Sequence, residues 1–162
     1  MKENKFRAWD NVDFKMYYLG EEENIHFYFN SNGIMAERFI NIKTVVVDEE
    51  IDDVHYEKLE HLKYMQYTGL KDKNGTEIFE GDIVTYKHTK FKADEEDNWL
   101  GDTETYNRNY AVEYVNTFHQ NGYRLKNKNI NFLICRSKLC SGEVEVIGNI
   151  YEKPELLEGV EK

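Results

Sequence analysis

The chain has 162 residues and a formal net charge of −10, from 31 acidic against 21 basic residues, a balance that argues against unspecific attraction to nucleic-acid phosphates. Hydrophobic residues at 40% and aromatics at 14% argue against a disordered chain, and the length suits one domain able to bury roughly two-thirds of its unfolded surface. Twelve tyrosines and nine phenylalanines beside a single proline favour strands over a helical bundle.

Residues 5–9 and 15–19 read as two short strands about a polar turn, Asp10-Asn11-Val12-Asp13. Trp9 is expected as a core anchor, because an indole offers a large apolar area for burial. Glu21-Glu22-Glu23-Asn24 is a solvated loop. Residues 25–30, IHFYFN, alternate and lead into the turn signal Ser31-Asn32-Gly33, after which residues 34–47 supply one or two strands ending in Thr44-Val45-Val46-Val47. The acidic connector Asp48-Glu49-Glu50-Ile51-Asp52-Asp53 lacks the alternating ligands and the glycine of a calcium loop. Residues 54–62 are expected to form a short helix, with Val54, Leu59 and Leu62 near one face and Asp52 or Asp53 as N-cap.

The clearest segment is 64–86, YMQYTGLKDKNGTEIFEGDIVTY. Asp72-Lys73-Asn74-Gly75 suits a type I turn closed by a left-handed residue, since Asp72 accepts backbone N–H bonds and glycine adopts positive φ freely. The strands flanking it are expected over 64–70 and 76–80. Gly81-Asp82 then interrupts the pattern, and Ile83-Val84-Thr85-Tyr86 resumes it. Residues 91–109, FKADEEDNWLGDTETYNRN, read as a mobile acidic surface loop, and its apolar handle, Trp99 and Leu100, is the candidate partner contact. Residues 110–115 form a strand, and Gln120-Asn121-Gly122-Tyr123 turns into Arg124-Leu125. Residues 130–135 and 143–150 are strands about Ser141-Gly142. Lys153-Pro154-Glu155-Leu156-Leu157 starts a short helical turn and residues 158–162 fray.

Catalytic motifs are missing: no GxGxxG or Walker loop, no HExxH and no GxSxG elbow, so no enzymatic activity is expected. Glu80 and Asp82 flank Gly81 as the carboxylate pair to weigh, with Asp82 read as a turn cap and Glu80 as solvated. Cys135 and Cys140 are expected to be reduced bystander thiols, because C-x4-C lacks a second ligand pair and the five histidines lie without metal spacing; no metal or cofactor is expected. Arg124, Lys126, Lys128, Arg136 and Lys138 form a basic run read as a charge-balanced surface. No apolar run approaches the roughly 20 residues that span a bilayer, and Met1-Lys2-Glu3-Asn4-Lys5 precedes no signal-peptide core, so a cytoplasmic protein is expected.

Three blocks carry a family resemblance. The segment MQYTGLKDKNGTEIFEGDIV, the opening Phe6-Arg7-Ala8-Trp9-Asp10 with Lys15-Met16-Tyr17, and the closing Val146-Ile147-Gly148-Asn149-Ile150-Tyr151-Glu152-Lys153-Pro154-Glu155-Leu156-Leu157 together resemble the YopX family in order. The resemblance implies a small protein of bacteriophages or prophages of Gram-positive bacteria and brings no catalytic residues. The expected fold is mainly β, α+β at the margin: a small antiparallel barrel or curled sheet with one or two short helices, SH3-like in part where Phe79-x-Gly81-Asp82-Ile83-Val84 suggests a bent strand entry. Within a single domain over 1–162, residues 1–47 form an N-terminal β portion, 48–62 the acidic connector and helix, and 63–152 the β core. The expected function is a non-catalytic interaction module that binds itself and a host or phage protein. The alternatives are an acidic nucleic-acid mimic or nucleic-acid-associated small barrel and, third, a hydrolase with an unrecognised carboxylate site.

Overall fold

The computed structural model describes residues 5–31, 33–46, 49–96, 98–117, 121–127, 130–133 and 144–158. The fold is mainly β with a curled sheet, as the aromatic and β-branched composition implies. The chain divides into two compact units, one over Asn4–Gln66 and one over Tyr67–Lys162.

In the N-terminal unit, β1 (Phe6–Asp10) pairs with β2 (Lys15–Tyr18) on one side and with the first residues of β6 (Lys63–Lys71) on the other, both antiparallel. A second antiparallel sheet runs β3 (Ile25–Asn30), β4 (Gly33–Val46), β5 (Glu49–Lys58). Ala8, Tyr17, Ile25, Phe27, Ala36, Leu59 and Leu62 form its core. Trp9 is buried, as its area suggested, and meets Phe14 edge-on. The turn after β1 is organised by Asp10, which is fully buried. Its Oδ1 accepts the N–H groups of Val12 and Asp13 at 2.8 and 2.9 Å and the Nε2 proton of His61 at 2.9 Å. Burial alone would raise the Asp10 pKa, yet these donors outweigh it and hold the carboxyl below its ordinary value.

The expected helix over 54–62 is replaced by a strand. Residues through Lys58 belong to β5, in register with β4 at Phe39↔Tyr56, Ile40↔His55 and Asn41↔Val54. The acidic residues Glu49 to Asp53 are likewise the first half of β5. A nine-residue helix bears a nucleation cost for few internal bonds, whereas β4 offers a ladder to every residue of β5. Leu59 and Leu62, which suggested an apolar helical face, are buried from the turn that follows: Leu59 N–H donates to Ala36 O at 2.9 Å.

In the C-terminal unit, the rest of β6 pairs with β7 (Glu77–Phe79) across the Asp72–Gly75 turn. A five-stranded antiparallel sheet has the order β11 (Ile130–Leu133), β10 (Asn121–Asn127), β9 (Trp99–Asn116), β8 (Asp82–Ala93), β12 (Val144–Asn149). Ile78, Val84, Tyr110, Val112, Tyr123, Leu125 and Val144 pack its core. A 3-10 turn over Pro154–Leu157 follows, with proline at its start as the sequence suggested. Of the expected turn over Gln120–Tyr123, Asn121, Gly122 and Tyr123 are instead the start of β10, paired with Asn116, Val115 and Tyr114 of β9; the Ser31-Asn32-Gly33 turn, the Ser141-Gly142 turn and the fraying end fall wholly or partly outside the described residues.

The Asp72 turn has the chemistry read from its sequence. Gly75 sits at φ +86°, and Asp72 Oδ1 accepts the N–H groups of Asn74 and Thr76 at 2.8 Å each. Its Oδ2 accepts the Val146 N–H of β12 at 3.0 Å. Burial pushes the Asp72 carboxyl upward, but the backbone donors Val146, Thr76 and Asn74 prevail and hold it below the usual carboxylate value.

Two outcomes follow. Gly75→Val places a β-branched residue at positive φ where no neighbour lies within 4 Å of a built Cβ, so the cost is backbone strain alone, ~1–3 kcal/mol by chemical denaturation. Because the folded-state pKa values of Asp10 and Asp72 are depressed, their stabilisation is present above the unfolded-state value of about 4 and disappears as pH falls through the folded-state values. Denaturation midpoints measured from pH 7 down to pH 2 should therefore fall on the acid side, and Asp72→Asn should be less stable at pH 7 with a shallower acid limb.

Candidate functional site

Residues 91–109 do not form a loop. They lie in β8 and β9, and the connection between those strands is only residues 94–98. Strand β12 pairs with β8 over Asp82 to Tyr86, and β10 with β9 over Ala111 to Asn116. Past those points, among the described residues, 87–93 and 99–107 pair with each other alone, as a two-stranded ribbon.

A two-stranded ribbon is marginal in water unless its cross-strand pairs support it, at ~0.2–1 kcal/mol each. Here they do so in sequence from the sheet outward. The buried Tyr110 hydroxyl is hydrogen-bonded to His88 Nε2 at 2.7 Å. The His88 ring stacks on its cross-strand partner Tyr106, with centroids 5.1 Å apart and planes 13° apart, and Tyr86 meets it edge-on at 4.8 Å. The Arg108 guanidinium lies 5.7 Å from the Tyr106 centroid. Farther out, Lys90 pairs with Glu104 at 2.7 Å and Lys92 with Asp102 at 2.6 Å. Asp94 closes the end by accepting the N–H groups of Glu96 and Asn98 at 2.9 Å. Alternation hides this order in the sequence: lysines and acids that suggested solvated loop sit opposite each other as ladder partners.

The feature that this scaffold presents is an exposed aromatic pair just inside the acidic connection. A register shift between Phe91 and Ala93 brings Ala93 opposite Trp99, and the Phe91 and Trp99 rings meet edge-on at 5.9 Å. Phe91, Trp99 and Leu100 are 71%, 66% and 58% exposed. Trp99 and Leu100 are both exposed, and Phe91 joins Trp99; Leu100, the next residue of the strand, faces the other side of the ribbon. The signal for Phe91 lay in the strand alternation Thr85, Lys87, Thr89, Phe91 opposite Thr105 and Thr103.

The other candidate residues have structural places. Asp82 is buried and its Oδ2 accepts the Phe79 N–H at 2.7 Å, the turn cap expected of it. Glu80 reaches the Tyr114 N–H at 3.4 Å, and its charge adds to burial in pushing the Tyr123 phenol up to about 12. The two carboxylates serve separate backbone donors, so they do not make an acid/base pair. Arg124 and Lys126 are both paired with Glu113; Lys128, Arg136, Lys138, Cys135 and Cys140 lie outside the described residues. Among the described residues, no group of three or more His, Cys, Asp or Glu side chains is placed to hold a metal ion, and no helix is long and apolar enough to cross a membrane.

The turns that anchor both units fall in the three sequence blocks quoted above, and the family model described as YopX protein matches residues 5–158. The chain belongs to the YopX family. No curated protein matches it. Among solved structures, this YopX chain is similar to protein EF1440 from Enterococcus faecalis, known from its crystal structure, with 28% identity and a TM-score of 0.56 over 97% of this chain and 99% of that one. In the YopX chain described here the blocks supply turn chemistry: Asp10, Asp72 and Asp82 accept backbone N–H groups, and Asn149 Oδ1 accepts those of Tyr151 and Glu152 at 3.0 and 2.9 Å. Asn149 was not singled out from the sequence, although an Asn four residues before Lys153-Pro154 is a turn signal.

The ribbon's tip should be dispensable for folding and its base should not. Replacing residues 90–104 with Asn-Gly, a two-residue hairpin turn, should leave the melting temperature within a few degrees. His88→Ala, which removes the Tyr110 bond and the Tyr106 stack, should cost about 1–2 kcal/mol in urea denaturation.

Proposed function

We propose that this YopX protein is a non-catalytic phage or prophage accessory protein that acts in the host cytoplasm by protein–protein contact, through the tip of the β8–β9 ribbon. The observation that carries the reading is the exposed Phe91–Trp99 pair, with Leu100 exposed at the next strand position, held away from the core on a braced ribbon. Large aromatic side chains left exposed together cost solvation, and such groups are the anchors that interfaces bury. The bend at Gly81-Asp82, where β8 begins, supports the SH3-like reading and with it an adaptor role. Self-association is part of the proposal, because the ribbon's edges and aromatic tip are surfaces that a second copy can cover.

The nucleic-acid mimic has less support. A mimic needs carboxylates free and arrayed along a ridge, whereas Glu104, Asp102, Glu113, Glu145 and Glu22 are each paired with a lysine or arginine. A hydrolase reading draws little from Glu80 and Asp82, which turn to separate donors.

Light scattering at micromolar concentration should return a mass above the 19.4 kDa of one chain. The triple variant Phe91→Ser, Trp99→Ser, Leu100→Ser should return the single-chain mass with an unchanged circular dichroism spectrum. A wild-type mass of one chain would remove self-association from the proposal, and an oligomer that survives the triple variant would remove the tip from it.

A further inference from the structure

The N-terminal unit contains a cleft of about 550 Å³ between the turn that follows β2 and the strands β3, β4 and β5. One wall is an aromatic pair. Phe39 and Tyr56 are direct cross-strand partners, their rings meet at 5.6 Å and 74°, and they remain 41% and 63% exposed. The acidic turn with Glu22 and Glu23 also lines the cleft. That turn is fixed in place, since the Phe39 N–H donates to Asn24 O at 2.8 Å and Glu22 is held by Lys15 at 3.0 Å. Glu23 is exposed at the rim, and His26 stands beside it. Ile25 and Phe27 also border the cleft, but their side chains belong to the core on the other face of the sheet.

We infer that this cleft binds an arginine side chain of a basic peptide segment on a partner protein. Each wall selects for the same chemistry. Aromatic faces attract a cation through their quadrupole and accept a planar guanidinium by stacking, and a carboxylate lining the same cleft supplies the opposite charge with acceptor oxygens in pair. An anionic ligand would meet Glu23, since Glu22 is already paired with Lys15, and a neutral apolar one would leave Glu23 without an opposite charge while covering it. The net charge of −10 favours the approach of a basic segment. This inference rests on residues of the N-terminal unit alone and stands apart from the ribbon tip, so either can fail without the other.

The test uses the isotope-labelled full chain and the peptide acetyl-Gly-Arg-Arg-Gly-amide, with a citrulline counterpart that keeps shape and loses charge. The arginine peptide should shift the ring resonances of Phe39 and Tyr56 saturably, and the citrulline peptide should bind about tenfold more weakly or not at all. Phe39→Ala, Tyr56→Leu and Glu23→Gln should each weaken the arginine peptide; Glu23→Gln should leave the melting temperature unchanged, and the two ring variants, which remove a cross-strand contact, should lower it by no more than a few degrees. Tyr56→Leu retains apolar bulk, so a loss of binding there reports the ring face. Equal binding of the two peptides, shifts spread over the acidic surface, or an affinity unchanged by the three variants would overturn the inference.

Discussion

The C-terminal unit depends on one ionised carboxylate. Asp72 accepts three backbone N–H groups, two from its own turn and one from Val146, 74 residues away. Lys73 N–H donates to Val144 O beside it. A turn that would otherwise be local is thereby fastened to β12, and β12 in turn pairs with β8. Burying a charge is expensive unless it is compensated by hydrogen bonds, and here backbone donors provide most of the compensation, with the Thr76 side chain adding to it. An asparagine in its place has one acceptor oxygen and a competing donor, and so cannot serve both sides.

The ribbon follows from that closed arrangement. Once β12 and β10 have covered the bases of β8 and β9, those two strands continue past them and must stabilise each other. They do so by a graded change in chemistry, from a buried phenol through a stacked imidazole to surface ion pairs and finally an uncovered aromatic pair. Lys87, Lys90 and Lys92 line β8 in the same stretch. Charged side chains on an exposed edge discourage unlimited pairing with other strands, while the exposed Phe91–Trp99 ring pair is an apolar spot just inside the acidic connection.

What the sequence made legible was local turn chemistry. Asp72, Gly75 and Asp82 have the roles that their side chains suggest, and the strands adjoining them were readable because alternation and turn residues agree there. Residues 54–58 and 91–109 were not, for one shared reason. In both, the stabilising partner lies on another strand, so that Glu104 is the complement of Lys90, and Tyr56 that of Phe39, only after pairing. Read singly, such residues are a polar run or a weak helical face. Of the candidate site, Trp99 and Leu100 were visible as apolar residues in polar surroundings, but Phe91 needed the register to bring it alongside.

The placement of β12 also orders the events of synthesis. In the N-terminal unit every strand finds its partner within the first 66 residues, so its sheets can form while the rest of the chain is still being made. The C-terminal unit has no such liberty. Strand β8 is complete by Ala93, yet its partner β12 begins at Val144, and Ile150 N–H closes on Gly81 O. Until that last segment leaves the ribosome, the edge of β8 over Asp82 to Tyr86 lacks the strand that covers it, and the Asp72 carboxylate lacks its distant donor. Non-local pairing of this kind slows folding and prolongs exposure of unpaired edges. Vectorial synthesis therefore leaves the nascent C-terminal unit open to chaperone capture until β12 emerges.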